Sequence, residues 1–302
     1  VRLFFYLVLA VHAVADPLPL RVEPRPAVME AQPDEGGRKV WHTRFFRIDS
    51  DLEIRPNDLA KLAQVADTTA TVLKTHPLPL FAPPQGQRSR ISIHADAADY
   101  VRAGGFHGTA GFYVAPQAKV LLRGDFFTKG PEKKLMPPHY DEDILVHELV
   151  HLCMHRVNAR LPHWLVEGLA EYFACAHQGG GRFSLADMDK SVRDHLRSRL
   201  SPDDPGIPLV PVGDIAGLRG RAWLRYVESL AQEDRFQAYA TALLLAHYHL
   251  HGGPARLETL RRLLEDDAAS VPVTPEDAPK VQDALTRFWK SSGLTLEFPA
   301  SP

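Results

Sequence analysis

His147-Glu148-Leu149-Val150-His151 places two imidazoles four residues apart, with a carboxylate directly after the first. On a helix, four residues advance the chain by about 400° and about 6 Å, so both rings leave one face and can converge on one ion. With His and Glu each near one residue in twenty, such a pentapeptide arises by chance in a chain of this length with a probability of roughly 4%, so its surroundings must decide. They favour a helix. Asp141, Glu142 and Asp143 put acid at its start, Ile144, Leu145, Val146, Leu149, Val150 and Leu152 supply apolar flanks, and neither Gly nor Pro interrupts residues 140–156. An apolar helix carrying His-Glu-His needs a reason, and a divalent metal supplies one.

A third ligand is available shortly downstream. Leu161-Pro162-His163-Trp164-Leu165-Val166-Glu167-Gly168-Leu169-Ala170-Glu171-Tyr172 reads as a second helix. Two His and one Glu around zinc leave a fourth position for water, the open arrangement of a catalytic site. Glu167 is the candidate ligand. Glu171 lies one turn further on the same face. In an antiparallel helix pair, Glu167 at the metal brings Glu171 beside His147, where it would accept the other ring N–H and set the tautomer. Two alternatives stay open: Glu171 as the third ligand, and Glu171 as an ordinary solvated surface residue.

These motifs resemble the gluzincin branch of the zincin metallopeptidases, which pair H-E-x-x-H with a Glu on a following helix. Trp164-Leu165-Val166-Glu167-Gly168 is similar to the W-L-x-E-G of the aminopeptidase group, and the wider pattern through P-x-W-L-x-E-G-x-A-E-Y looks most like peptidase MA-like domains of secreted bacterial proteins. The similarity covers about residues 90 to 250, with its specific part at 147–172. Fifteen residues separate His151 from Glu167, fewer than in the aminopeptidase and thermolysin groups. The resemblance implies an α+β, zincin-like fold, with a small mixed sheet and zinc-binding helix followed by a helical lobe. It implies one zinc ion held by His147, His151 and Glu167, with Glu148 as general base for a metal-activated water attacking a peptide carbonyl. The developing oxyanion needs a further donor. Tyr239 is the candidate, because Tyr239-Ala240-Thr241-Ala242 opening an apolar helix resembles the Y-x-x-G helix of aminopeptidase-like gluzincins. The Gly is absent here, and simple core packing of Tyr239 is the alternative.

Composition sets broader limits. At 302 residues, 45% hydrophobic and 24% charged, the chain can bury a sizeable core, and a net charge of -2 with no long basic run gives no electrostatic footprint for nucleic acid. Arg2, the apolar run Leu3 to Val11, and Ala13-Val14-Ala15 read as a signal peptide over residues 1–15, implying export to the periplasm or the medium. The run is too short to span a bilayer stably, and Asp16 at the expected new terminus, rather than Cys, argues against a lipid anchor, so no stable membrane attachment is expected. Cys153 and Cys175 are the two cysteines, and the antiparallel helix pairing would hold them about 15 Å apart, too far for a bridge.

Residues 16–38, rich in Pro, Glu, Gly and Arg, read as a disordered linker, leaving 39–302 as one catalytic domain with an α+β lobe (39–178) and a helical lobe (179–302). Strands are expected over 43–48 and 90–94, helices over 58–73 and 95–103, and a hairpin of 111–114 with 119–123. The resemblance places that hairpin beside the metal, where an edge strand takes up the substrate backbone; a purely structural hairpin is the alternative. Helices follow at 186–199, 221–232, 235–251, 255–264 and 275–290. His155 extends the ligand stripe by one turn, His163 opens the second helix, and His247, His249 and His251 form a weaker metal candidate near a helix end, where His commonly complements the dipole. The competing functions are a zinc peptidase, a catalytically idle module of the same fold that binds a protein or cell-envelope partner, and a hydrolase of a non-peptide amide.

Overall fold

The computed structural model describes residues 20–124, 140–200, 204–266 and 269–299. The expected signal peptide lies outside them. In chain order the elements are β1 (Arg21–Val22), β2 (Glu30–Glu35), β3 (Arg38–His42), β4 (Phe46–Ser50), α1 (Pro56–Thr75), β5 (Ser89–His94), α2 (Ala97–Arg102), β6 (Gly111–Val114), β7 (Lys119–Arg123), α3 (Tyr140–Cys153) and α4 (His155–Asn158). There follow α5 (His163–Ala176), β8 (Phe183–Ser184), α6 (Met188–Arg197), β9 (Ile207–Pro208), α7 (Val212–Ala216), α8 (Arg221–Ser229), α9 (Arg235–Leu250), α10 (Pro254–Glu265), α11 (Ala278–Ser291) and β10 (Leu296–Glu297). The architecture is mixed α+β.

Six strands form one mixed sheet in the order β2-β3-β4-β5-β7-β6. Its centre is parallel, β4 with β5 and β5 with β7, because the connections through α1 and α2 return the chain to the same end. Alternation along these strands puts Ile48, Ile91 and Val120 in one register row, all buried against the helices. The intervening row, Arg47, Arg90 and Lys119, faces away from them. α1 turns Leu59, Leu62, Val65, Ala66 and Leu73 into the core and packs on α3. Each of the Leu and Val side chains, removed fully from water, contributes about 1.5–3 kcal/mol.

Two expectations are corrected here. Within residues 16–38, expected to be a disordered linker, residues 21–22 form β1 and pair with β8, and residues 30–35 form the outer strand β2 and pair with β3. An edge position tolerates Pro33 and a polar composition, and the register shifts between Gln32 and Glu35. Ion pairs Glu35–Arg47 (2.7 Å) and Asp34–Lys39 (2.8 Å) tie the strand and its neighbours, while Gly36 and Gly37 supply the positive φ of the turn. The strand expected over 43–48 begins only at Phe46. Thr43 bonds Asp67 of α1 at 2.7 Å and accepts the Phe46 N–H at 3.0 Å, so residues 43–45 turn toward the helix instead of extending.

The helix expected over 140–156 stops at Cys153, and after Met154 a short α4 begins. Its acidic start does more than meet the dipole. Glu142 pairs with Lys61 and accepts the Gly180 N–H at 2.6 Å, and Asp143 meets His177 at 2.7 Å, which anchors α3 to α1 and to the loop after α5. α5 is almost wholly buried, packed between α3 and α9. Gly168 permits that closeness: a methyl there would run into the Ala242 carbonyl of α9 and stand 2.9 Å from Ala246 Cβ. Cys153 and Cys175 are both free and buried. Among the described residues no helix is long and apolar enough to cross a membrane.

Candidate metal centre

α3 presents His147 and His151 from one face, with their Nε2 atoms 3.1 Å apart. Glu167, one turn into α5, brings Oε2 to 3.3 Å from His147 Nε2 and 3.5 Å from His151 Nε2. Tetrahedral zinc with bonds of about 2.0–2.1 Å requires ligand-to-ligand edges of about 3.3–3.4 Å, so this triangle has the size of one face of such a site. The donor set fits a zinc ion. Among the described residues it is the only group of His, Cys, Asp and Glu gathered closely enough to hold a metal.

The two downstream carboxylates divide between the two nitrogens of one ring. Glu171 Oε1 lies 3.3 Å from His147 Nδ1, whereas Glu167 faces Nε2. The single turn between them on α5, run antiparallel to α3, produces this division. Glu171 thus sits behind the ligand ring, where a carboxylate fixes the tautomer that exposes Nε2 to an ion. Its other oxygen is 3.1 Å from His195 Nε2, on α6. Burial opposes charge on His195, but Cys175 and Glu171 outweigh it and lift the imidazole to about 10. Burial likewise opposes ionisation of Glu167, yet His151, His147 and His163 hold its carboxyl well below the usual range. His147 is raised well above the usual value against its own burial by Glu167 and Glu171. His147 and Glu167 thus stand as a largely buried pair of opposite charge.

Glu148 is positioned from the sheet. Strand β6 occupies the free edge beyond β7, and the Tyr113 N–H donates to Glu148 Oε2 at 2.7 Å. Gly111 lets the strand approach, since a Cβ there would meet Ile144 Cγ2 at 3.1 Å and Glu148 Cγ at 3.4 Å. Burial pushes the Glu148 carboxyl above its ordinary value, against the pull of His147 and His151. Tyr113 does further work: its ring stacks on His151 at 5.7 Å and its hydroxyl bonds His155 Nδ1 at 2.6 Å. Asn158 Nδ2 donates to the His151 carbonyl at 2.8 Å and secures the end of α3.

Tyr239 lies near the start of α9, partly buried and edge-on to Trp223 at 5.8 Å. Burial raises its hydroxyl, and the charges of Glu167, Glu171 and Glu148 raise it further. His163 Nε2 stands 3.2 Å from the other oxygen of Glu167. His155 is committed to Tyr113. The trio near the end of α9 is drawn into local packing: His247 bonds Asp189 at 2.8 Å, His251 bonds Tyr172 at 2.9 Å, and His249 lies against Trp164.

Tyr113 was visible in sequence only as part of a hairpin, because a backbone N–H leaves no compositional mark. His195 is distant in sequence and carried no signal at all. Compared with family models and with curated proteins, the chain matches none, so its functional assignment rests on this geometry.

Proposed function

We propose that the protein is an exported zinc-dependent peptidase of the gluzincin type, with a zincin-like arrangement of sheet, ligand helix and helical lobe. The observation carrying this is the triangle of His147, His151 and Glu167 with a further carboxylate, Glu148, held by the Tyr113 N–H of the edge strand. His147, His151 and Glu167 would hold the ion, which when bound polarises a carbonyl and acidifies water at the open position. Glu148, buried and held by the Tyr113 N–H, takes the proton of the attacking water and passes it to the leaving amine. Its raised proton affinity suits both halves of that transfer. Tyr239 offers its O–H to the oxygen that gains charge. Glu171 keeps the His147 ring in register. An extended peptide lying alongside β6, whose Tyr113 N–H is already given to Glu148, would bring a carbonyl near that carboxylate. Export is read from residues 1–15 alone.

Metal analysis of the purified protein, together with cleavage of a mixed peptide library by the parent and by Glu148→Gln, tests this assignment. One equivalent of zinc in both proteins is expected, with turnover lowered about 10²- to 10⁴-fold in the variant. Equal cleavage by the two would remove Glu148 as the base. Zinc without cleavage in either would favour a binding module or a non-peptide amide.

A further inference from the structure

Glu167 has two oxygens, and a carboxylate on zinc can bind through one or both. Two-oxygen binding would crowd the position that the attacking water needs. The second oxygen, Oε1, is already engaged: His163 Nε2 lies 3.2 Å from it, one helical turn back on the same face of α5. The His163 ring is itself fixed from several sides. It opens α5 directly after Pro162, its backbone N–H donates to the Leu218 carbonyl at 3.0 Å, and its ring leans on Trp223 at 5.5 Å. Trp223 in turn meets Tyr239, so one aromatic row runs from the carboxylate's outer oxygen to the candidate oxyanion donor. His163 is the more exposed of the two, its side chain 22% exposed against 11% for Glu167.

We propose that His163 is a positioning residue that donates its Nε2 hydrogen to Glu167 Oε1, leaving Oε2 as the single oxygen for the ion and keeping the fourth coordination position free. The inference rests on the zinc-site assignment above and deepens it. His163 does not touch the reacting carbonyl; it acts through Glu167. A side chain that keeps an N–H donor at this distance should serve, and an apolar one should not.

The test replaces zinc by cobalt(II) in the full chain and in two variants, His163→Gln and His163→Leu, and reads the visible absorption, which is intense for four-coordinate cobalt and weak for higher coordination. The parent and His163→Gln are expected to share the intense spectrum. His163→Leu is expected to lose it, and its zinc affinity in chelator competition is expected to fall about tenfold or more. A cobalt-binding His163→Leu with the parental spectrum overturns the proposal, as does a Gln variant as altered as the Leu variant. A parent that takes up neither metal overturns the zinc assignment itself, and the inference with it.

Discussion

Tyr239 is the residue whose function and packing compete most directly. Its ring meets Trp223 as a core aromatic would, while its hydroxyl is raised, after burial, by Glu167, Glu171 and Glu148. Removing only the oxygen separates the two roles. Tyr239→Phe should leave zinc content and urea midpoint unchanged and lower kcat by about 10²- to 10³-fold, the usual cost of one oxyanion donor. An unaltered kcat would assign Tyr239 to packing alone. At this scale His147 and His151 were legible in sequence because helical spacing aims them, Glu148 because it directly follows His147, and Glu167 only as one of two carboxylates a turn apart. Tyr113 and His195 were not, since a strand edge and a helix later in the chain reach the site only after folding.

At the scale of elements, the helix sandwich α3, α5 and α9 sets the distances in the site. α5 touches both neighbours, and Gly168, directly after the candidate ligand Glu167, brings α9 close. In an exposed helix, Gly→Ala would be favourable by about 1 kcal/mol. Here the added methyl meets backbone, which cannot rotate away, and overpacking of about 1–3 kcal/mol prevails. Gly168→Ala should therefore lower the urea midpoint and weaken zinc binding together; a gain in stability would show that the helices are less tightly joined. Gly168, next to Glu167 in Trp164-Leu165-Val166-Glu167-Gly168, thus has a packing reason of its own. The β2–β3 hairpin carries the opposite lesson. Its residues up to Arg38 read as a disordered linker, because the polar run concealed a strand that is held by pairing and surface ions rather than by an apolar face, with Gly36-Gly37 making the turn.

For the whole molecule, buried histidines give stability a pH dependence distinct from catalysis. Burial, the largest cause in each case, lowers His76, His247 and His249 to about 4 from the usual 6.5. Between those values the unfolded chain takes up protons that the folded chain refuses. Stability is thus complete above 6.5 and declines toward 4, by up to about 1.4 kcal/mol per pH unit for each residue. His195, raised to about 10, acts in the other direction: its contribution is complete below 6.5 and is lost as pH rises through 10, so it adds no slope in the acid window. Urea midpoints of the chelator-treated protein should therefore fall from pH 7 to pH 5, and His249→Phe, which removes a ring with neither nitrogen bonded to protein, should flatten the decline. A midpoint constant across that range would mean that these rings protonate within the fold.

Local periodicity was enough to locate the longer helices, though not the short α4 and α7, together with the β6–β7 hairpin and the His147–His151 pair of α3, because spacing along one element fixes which side chains share a face. It also identified two carboxylates a turn apart on α5, but could not say which one meets the imidazoles. Packing decided that. The antiparallel approach of α5 to α3 sets Glu167 against one nitrogen of His147 and Glu171 against the other, and the distance between two helices depends on side chains far apart in the chain. The same holds for Glu148, whose partner is a backbone N–H that only sheet order brings to the edge beside it.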